Sequence, residues 1–167
     1  MTASSPRTCI FGYATTADAA PVAALRCAAT LGLAEQYGCP AVRVTEKGVL
    51  FDLKSGRILV ARDRAAIVGC ATLTLKKPWA IDPALFTKSK KPLYLLAMAV
   101  APDRQRTGLG RRLIEEARAA AKEQHCDAIR LDAYDAPWGA GGFYEKCGFR
   151  ETGRATYRET ALIYFEL

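Results

Sequence analysis

Residues 105–112 read QRTGLGRR, two glycines set among arginines. Residues of these types at this spacing suit the binding of an anion. The stretch stands immediately before apolar residues at helical spacing. Its amides therefore become the free N–H groups of a helix N-terminus, which carry partial positive charge. Glycine removes side chains that would hold an anion away, and Arg104, Arg106, Arg111 and Arg112 add full charges nearby. A pyrophosphate answers that description. The spacings G-x-x-x-x-G-K-[ST] and G-x-G-x-x-G are both missing, which argues against a mononucleotide kinase and a nicotinamide enzyme. The alternative is a strand-to-helix turn in which glycine only relieves crowding.

Other reactive side chains offer less. The six cysteines, at 9, 27, 39, 70, 126 and 147, include no C-x-x-C pair, so no zinc or other metal site is expected. The single histidine, His125, falls near a helix end beside Cys126, a poor setting for a Ser-His or Cys-His nucleophile. The lysines at 76, 77, 88, 90 and 91 crowd one proline-containing stretch with Trp79 and Phe86. That stretch reads as a solvated loop; the two aromatics line an acceptor pocket or cap the core.

The chain of 167 residues is half hydrophobic and a quarter charged, which suits one domain spanning residues 1–167. Its formal charge of +7 favours an anionic partner: nucleic acid, an acidic surface or a phosphorylated ligand. No nucleic-acid recognition motif occurs and the basic residues are not interleaved with aromatics, so nucleic acid is not expected. The N-terminal MTASSPRTC is polar, and no segment approaches the length of a membrane span. A cytoplasmic protein with no membrane partner is expected.

Several elements must position the glycine-rich stretch. CIFGYAT at 9–15 reads as a strand. Asp18 caps a helix through Val22, Leu25 and Ala29 with Pro21 in its first turn. A weaker helix covers residues 45–54. RILVARD and IVGCATLTL form a hairpin. LYLLAMAV at 93–100 is apolar throughout, the pattern of a strand buried on both faces, and Pro102 ends it. The helix that follows carries Leu109, Leu113, Ala117 and Ala120 on one face. AIRLDAY at 128–134 then completes a βαβ unit, hence one parallel pairing. A short helix in WGAGGFYEKCGF and a last strand at 160–167 close the chain. The class is mixed α/β, antiparallel at the start with a central parallel crossover. The C-terminal strand offers an edge for pairing into a homodimer.

Two blocks, LLAMAVAPDRQRTGLGRRLIEEA and GGFYEKCGFRETG, resemble the GNAT superfamily of acyl-CoA N-acyltransferases. The first is similar to its acetyl-CoA-binding core, the second to its Y-E-K-x-G-F segment. The resemblance implies a sheet whose two central parallel strands splay around acetyl-CoA. It implies transfer of an acetyl group to a primary amine of a small molecule or a protein. A CoA-binding sensor of the same fold with weak turnover is the alternative. Carried over residue by residue, Gln105, Arg106, Thr107, Gly108, Leu109, Gly110 and Arg111 hold the pyrophosphate. Met98, Ala99 and Val100 meet the pantetheine arm through their backbone, with an oxyanion donor near Met98 or Ala99. Tyr144 stands where the family often places a general acid. The sequence departs from the pattern twice. No carboxylate lies in LYLLAMAV, which leaves Asp132 or Asp135 as base, each with a turn or solvent role as the alternative. Pro137 replaces an asparagine found in several relatives, and Trp138 beside it offers an acceptor wall instead.

Overall fold

The computed structural model describes residues 8–167. The polar start read against a signal peptide falls mostly on residues 1–7, outside the described residues. The strands are β1 Ile10–Tyr13, β2 Arg57–Asp63, β3 Ala66–Thr74, β4 Pro92–Val100, β5 Ala128–Tyr134, β6 Arg150–Tyr157 and β7 Thr160–Glu166. The helices are α1 Ala19–Tyr37, α2 Glu46–Ser55, α3 Leu109–Glu123 and α4 Gly141–Lys146. One sheet runs β1-β2-β3-β4-β5-β7-β6. Among the described residues only β4 and β5 pair in parallel, with α3 as their crossover. The mixed α/β class and the central βαβ unit are as the sequence predicts.

Each face of the sheet is covered by helices whose apolar stripes match it. On one face α3 buries Leu109, Leu113, Ile114 and Ala117 against Leu59, Ala71, Leu95 and Leu131. On the other, Val22 and Leu25 of α1 and Val49 of α2 cover Ile58, Val60, Cys70 and Ala99. The Thr45 hydroxyl caps α2 by accepting the Gly48 N–H at 3.1 Å. Asp18 does not cap α1, contrary to expectation. Its carboxylate accepts the Thr15 amide at 2.7 Å and pairs with Arg62 at 2.9 Å, closing a turn just ahead of the helix.

Arg26 ties three elements together. Its Nη1 meets Asp52 of α2 at 2.8 Å and its Nη2 meets the Thr72 hydroxyl of β3 at 2.6 Å. The helix that carries it corrects another expectation: Thr16–Tyr37, 22 residues, is long and apolar enough to cross a membrane by length and composition. Its alanine-rich make-up hides that property from a search for strongly apolar runs. Its buried residues pack on the sheet, and Arg26 lies among them only 6% exposed.

Two more expectations need correction. β6 escaped the sequence reading because RETGRATY is polar and has no alternating apolar pattern, as suits an edge strand. The C-terminal strand is therefore no edge: β7 lies between β5 and β6. The lysine-rich loop 76–91 is held down at both ends of its course. Asp127 accepts the Lys90 and Lys91 amides at 2.7 and 3.0 Å, and the Tyr164 hydroxyl donates to the Ala80 carbonyl at 2.5 Å. Phe86 caps the core, stacked edge-on against Tyr164, whereas Trp79 is 87% exposed.

The centre of the sheet opens. β4 and β5 pair only from Pro92–Ala128 to Tyr94–Arg130, although both strands continue well beyond. On the other side of β4 the register to β3 jumps from Thr72–Leu96 to Cys70–Ala99, so Ala97 and Met98 together face Ala71. Ala97 takes a left-handed φ of 47°, which costs an alanine about 1–2 kcal/mol. This bulge bends β4 away from β5. It also breaks the expected burial on both faces: Ala97 is exposed and Met98 half-buried.

Candidate active site

The loop between β4 and α3 is built to leave amides free. Pro102 to Arg104 form a short 3-10 turn, closed by the Arg104 amide on the Ala101 carbonyl at 2.8 Å. Arg106 and Gly108 then take left-handed φ values of 61° and 87°. The first helical bond of α3 runs from the Arg112 amide to the Gly108 carbonyl at 3.1 Å. Among the described residues, the amides from Arg106 to Arg111 donate to no carbonyl. Six consecutive N–H groups without a carbonyl partner at a helix start are groups that can take an anion.

The side chains of the loop divide sharply. Arg104 is spent on structure, bonded to Asp63 at 2.6 Å. Arg112 lies over the Phe11 ring at 4.7 Å. Arg106 and Arg111 line a cavity of about 470 Å³ in front of the loop, with Gly108, Gly110, Gln105, Ala140, Phe143 and Tyr144. The Gln105 side chain donates through Nε2 to the Val100 carbonyl at 3.2 Å. The Thr107 hydroxyl turns back to the Arg104 carbonyl at 2.6 Å and the Leu109 side chain enters the core, and neither residue lines the cavity. A Cβ on Gly110 would stand 3.2 Å from Phe143 and 3.4 Å from the Met98 methyl, so a larger residue would have to push this wall back by a few tenths of an ångström.

Met98, Ala99 and Val100 also line a second cavity, of about 480 Å³, reached from the α1 face. Its other walls come from Arg26, Leu33, Val44, Asp132, Trp138 and neighbouring residues. The two cavities share Met98, Ala99, Val100, Gln105, Ala140 and Tyr144. The gap between β4 and β5 is thus a slot through the sheet, open toward α3 on one side and toward α1 on the other.

Tyr144, 8% exposed, stands at this junction. The rings of Phe143, Phe149 and Phe165 fix it, with centroids at 5.2, 5.6 and 6.1 Å. Its hydroxyl reaches only the Met98 sulfur, at 4.0 Å, a weak acceptor. Burial, with the neighbouring charge of Asp132, pushes the phenol well above its ordinary range, so it stays protonated at neutral pH. Asp132 is half-buried in the second cavity and has no ion-pair partner among the described residues. Desolvation raises its carboxyl above the ordinary range of an aspartate.

Of the candidates read from sequence, the structure brings together Met98, Ala99, Val100, Gln105, Arg106, Gly108, Gly110, Arg111, Asp132 and Tyr144. Asp135 is drawn away, gripped by Arg154 at 3.1 Å through both oxygens. Trp138 lines the second cavity. His125 lies beyond the far end of α3, about 22 Å along the helix from the loop. Ala97, Ala140 and Phe143 were not singled out in the sequence. Phe143 sits inside the GGFYEK block, where its place beside Tyr144 was a usable signal. Nothing marks Ala97.

A family model described as the Acetyltransferase (GNAT) domain matches residues 54–151, more than half of the chain. The fold is similar to that of ribosomal-protein-S18-alanine N-acetyltransferase from Escherichia coli, with a TM-score of 0.73 at 17% identity over 96% of this chain and 93% of that one. It is similar to ribosomal-protein-alanine N-acetyltransferase from Brucella melitensis, with a TM-score of 0.67 at 19% identity over 95% and 98% of the two chains. A chain of the NatC complex bound to Gag peptide and CoA gives 0.67 at 15% identity over 96% and 98%. Identities this low mark a shared fold. With the family model and the splayed sheet together, the chain belongs to the GNAT acetyltransferase family, a family of acyltransferases that use acetyl-CoA.

Proposed function

We propose that the whole chain is one N-acetyltransferase domain, cytoplasmic, that moves an acetyl group from acetyl-CoA to a primary amine. The observation that carries this reading is the run of unpaired amides from Arg106 to Arg111 in front of a slot that ends at Tyr144 and Asp132.

The amides, with Gln105 at the head of the loop, hold the pyrophosphate, and the Arg106 and Arg111 guanidiniums add charge at the cavity mouth. The backbone of Met98, Ala99 and Val100, which β5 no longer pairs, meets the pantetheine arm, chiefly at Met98, since Ala99 is registered against Cys70 of β3 and the Val100 carbonyl already accepts from the Gln105 side chain. The main-chain N–H of Met98 is the oxyanion donor in this reading, because of that same Ala99–Cys70 register. Such preorganised donors contribute about 10²–10³ in rate. Asp132 takes a proton from the incoming ammonium. The amine nitrogen forms its bond to the thioester carbonyl carbon, the nitrogen gives up its remaining extra proton to solvent, and the carbon–sulfur bond breaks. Tyr144 gives its proton to the departing sulfur and is reprotonated from solvent. Burial makes this phenol a weaker acid, but the same dry surroundings raise a thiolate's affinity for a proton, as they do for the Cys70 thiol.

Acetyl-CoA titration by calorimetry and thiol release in the presence of amines test this reading. No detectable binding of acetyl-CoA removes it. Binding without release from any amine favours a sensor. If Asp132 is the base, it must be ionised to act. Because its carboxyl is raised above the ordinary aspartate value, kcat/KM falls as pH drops through a point higher than that value. Asp132→Asn abolishes this acid limb and lowers kcat about 10²-fold. A limb unchanged in the variant assigns the titration to another group.

A further inference from the structure

The chamber on the α1 side has an unusual charge inventory for a place that would receive an ammonium group. Its lining holds two charged side chains, Arg26 and Asp132. Arg26 gives Nη1 to Asp52 and Nη2 to Thr72, and its Nε is buried without a hydrogen-bond partner among the described residues. One carboxylate, Asp132, is left to meet an incoming charge. The remaining wall is largely apolar: Ala29, Val44, Ala97 and Ala133 inside, then Leu33 and Trp138 toward the opening.

The apolar surface continues outward. Thr30, Leu33, Val42, Tyr134 and Trp138 line both this chamber and a further cavity of about 530 Å³, so the two run together as one groove. Leu33, Val42 and Tyr134 are 37%, 44% and 46% exposed. Large apolar side chains gathered at an open groove mark a place where something apolar binds. Two carboxylates line the outer groove: Asp135, which Arg154 neutralises at 3.1 Å, and Glu159, which does not line the inner chamber.

These features select by charge. A second ammonium close to the reacting one would be buried against Leu33, Val44 and Trp138 with no partner, which is costly. A carboxylate close to the amine would face Asp132 and be repelled. We propose that the acceptor is a primary amine carried close to an apolar or aromatic group, with no second charge nearby, the apolar group seating between Leu33, Val42 and Trp138. This rests on the acyl-transfer reading above and names its acceptor class. The chemistry is met by a free amine such as phenethylamine or by the N-terminal residue of a peptide that begins with an apolar side chain.

The test uses the full chain, acetyl-CoA and thiol release with five acceptors: phenethylamine, a peptide with N-terminal phenylalanine, free phenylalanine, spermidine and an aminoglycoside. The expected result is a kcat/KM for phenethylamine or the peptide about tenfold or more above the other three. Whichever of the two leads identifies the source of the amine. Trp138→Ala and Leu33→Lys each raise KM for the leading acceptor about tenfold, while calorimetry shows acetyl-CoA affinity within about twofold of the parent. Leu33 is exposed, so its variant tests the wall even if Trp138→Ala folds poorly. A preference for spermidine, the aminoglycoside or free phenylalanine overturns the proposal. So does an unchanged KM in both variants, or binding of acetyl-CoA with no acetylation of either apolar acceptor. Each of these leaves the acyl-CoA reading standing, whereas failure to bind acetyl-CoA at all overturns that reading and this one together.

Discussion

Tyr144→Phe lowers kcat by about 10² or more, with acetyl-CoA affinity changed less than about twofold. The substitution removes one oxygen and nothing else. The ring keeps its contacts with Phe143, Phe149 and Phe165, and the lost hydroxyl gives up only a weak contact with the Met98 sulfur at 4.0 Å. Folding therefore changes little, and any large loss of rate belongs to the proton delivered at the slot. Single-turnover thiol release, measured beside calorimetric binding, separates the two. A kcat within about threefold of the parent assigns Tyr144 to packing and hands protonation of the sulfur to solvent.

The parts of this site that depend on residue type were legible before the fold. Glycines at 108 and 110 announce an unusual backbone, and the structure gives a different reason for each: a left-handed φ of 87° at Gly108, which faces open space, and the Phe143 ring close against Gly110. The apolar run before them reads as a central strand, and the 3.6-residue spacing after them reads as the crossover helix. Features decided by tertiary competition were not legible. β6 is polar because an edge strand needs few buried side chains, so it carries no alternation to detect. The bulge at Ala97 is imposed by neighbouring strands on an alanine that has no local preference for it. The sequence placed four arginines near the loop but could not divide them. Asp63 and Phe11, which claim Arg104 and Arg112, lie about forty or more residues away in the chain. The choice between Asp132 and Asp135 likewise turned on Arg154, a residue of the strand that was missed.

Arg130→Met destabilises the fold by about 3–5 kcal/mol. Arg130 of β5 and Glu166 of β7 form an ion pair at 2.8 Å with side chains 5% and 4% exposed. The Thr87 hydroxyl donates to the other Glu166 oxygen, the guanidinium also donates to the Thr87 carbonyl, and it lies over the Phe86 ring at 4.8 Å. Methionine fills much of the volume but strands a buried carboxylate. For a chain of this size the loss amounts to a fall in Tm of roughly 6–20 °C. Thermal unfolding checks it, and the double variant Arg130→Met with Glu166→Leu recovers most of the loss, because apolar pairs replace buried ion pairs without penalty. A single variant as stable as the parent would show that water reaches the pair. Arg130 also marks the last register of β4–β5 pairing, so this network fixes where the strands begin to part.

On the acyl-transfer reading proposed above, that parting gives the two reactants separate doors. A thioester arriving beside α3 does not block an amine arriving beside α1, and neither product must retrace the other's path. The lining shared by the two chambers holds no serine or cysteine, so nothing at the meeting point invites a covalent stopover on the protein. Turnover then proceeds through a ternary complex, and double-reciprocal plots at several amine concentrations should intersect instead of running parallel.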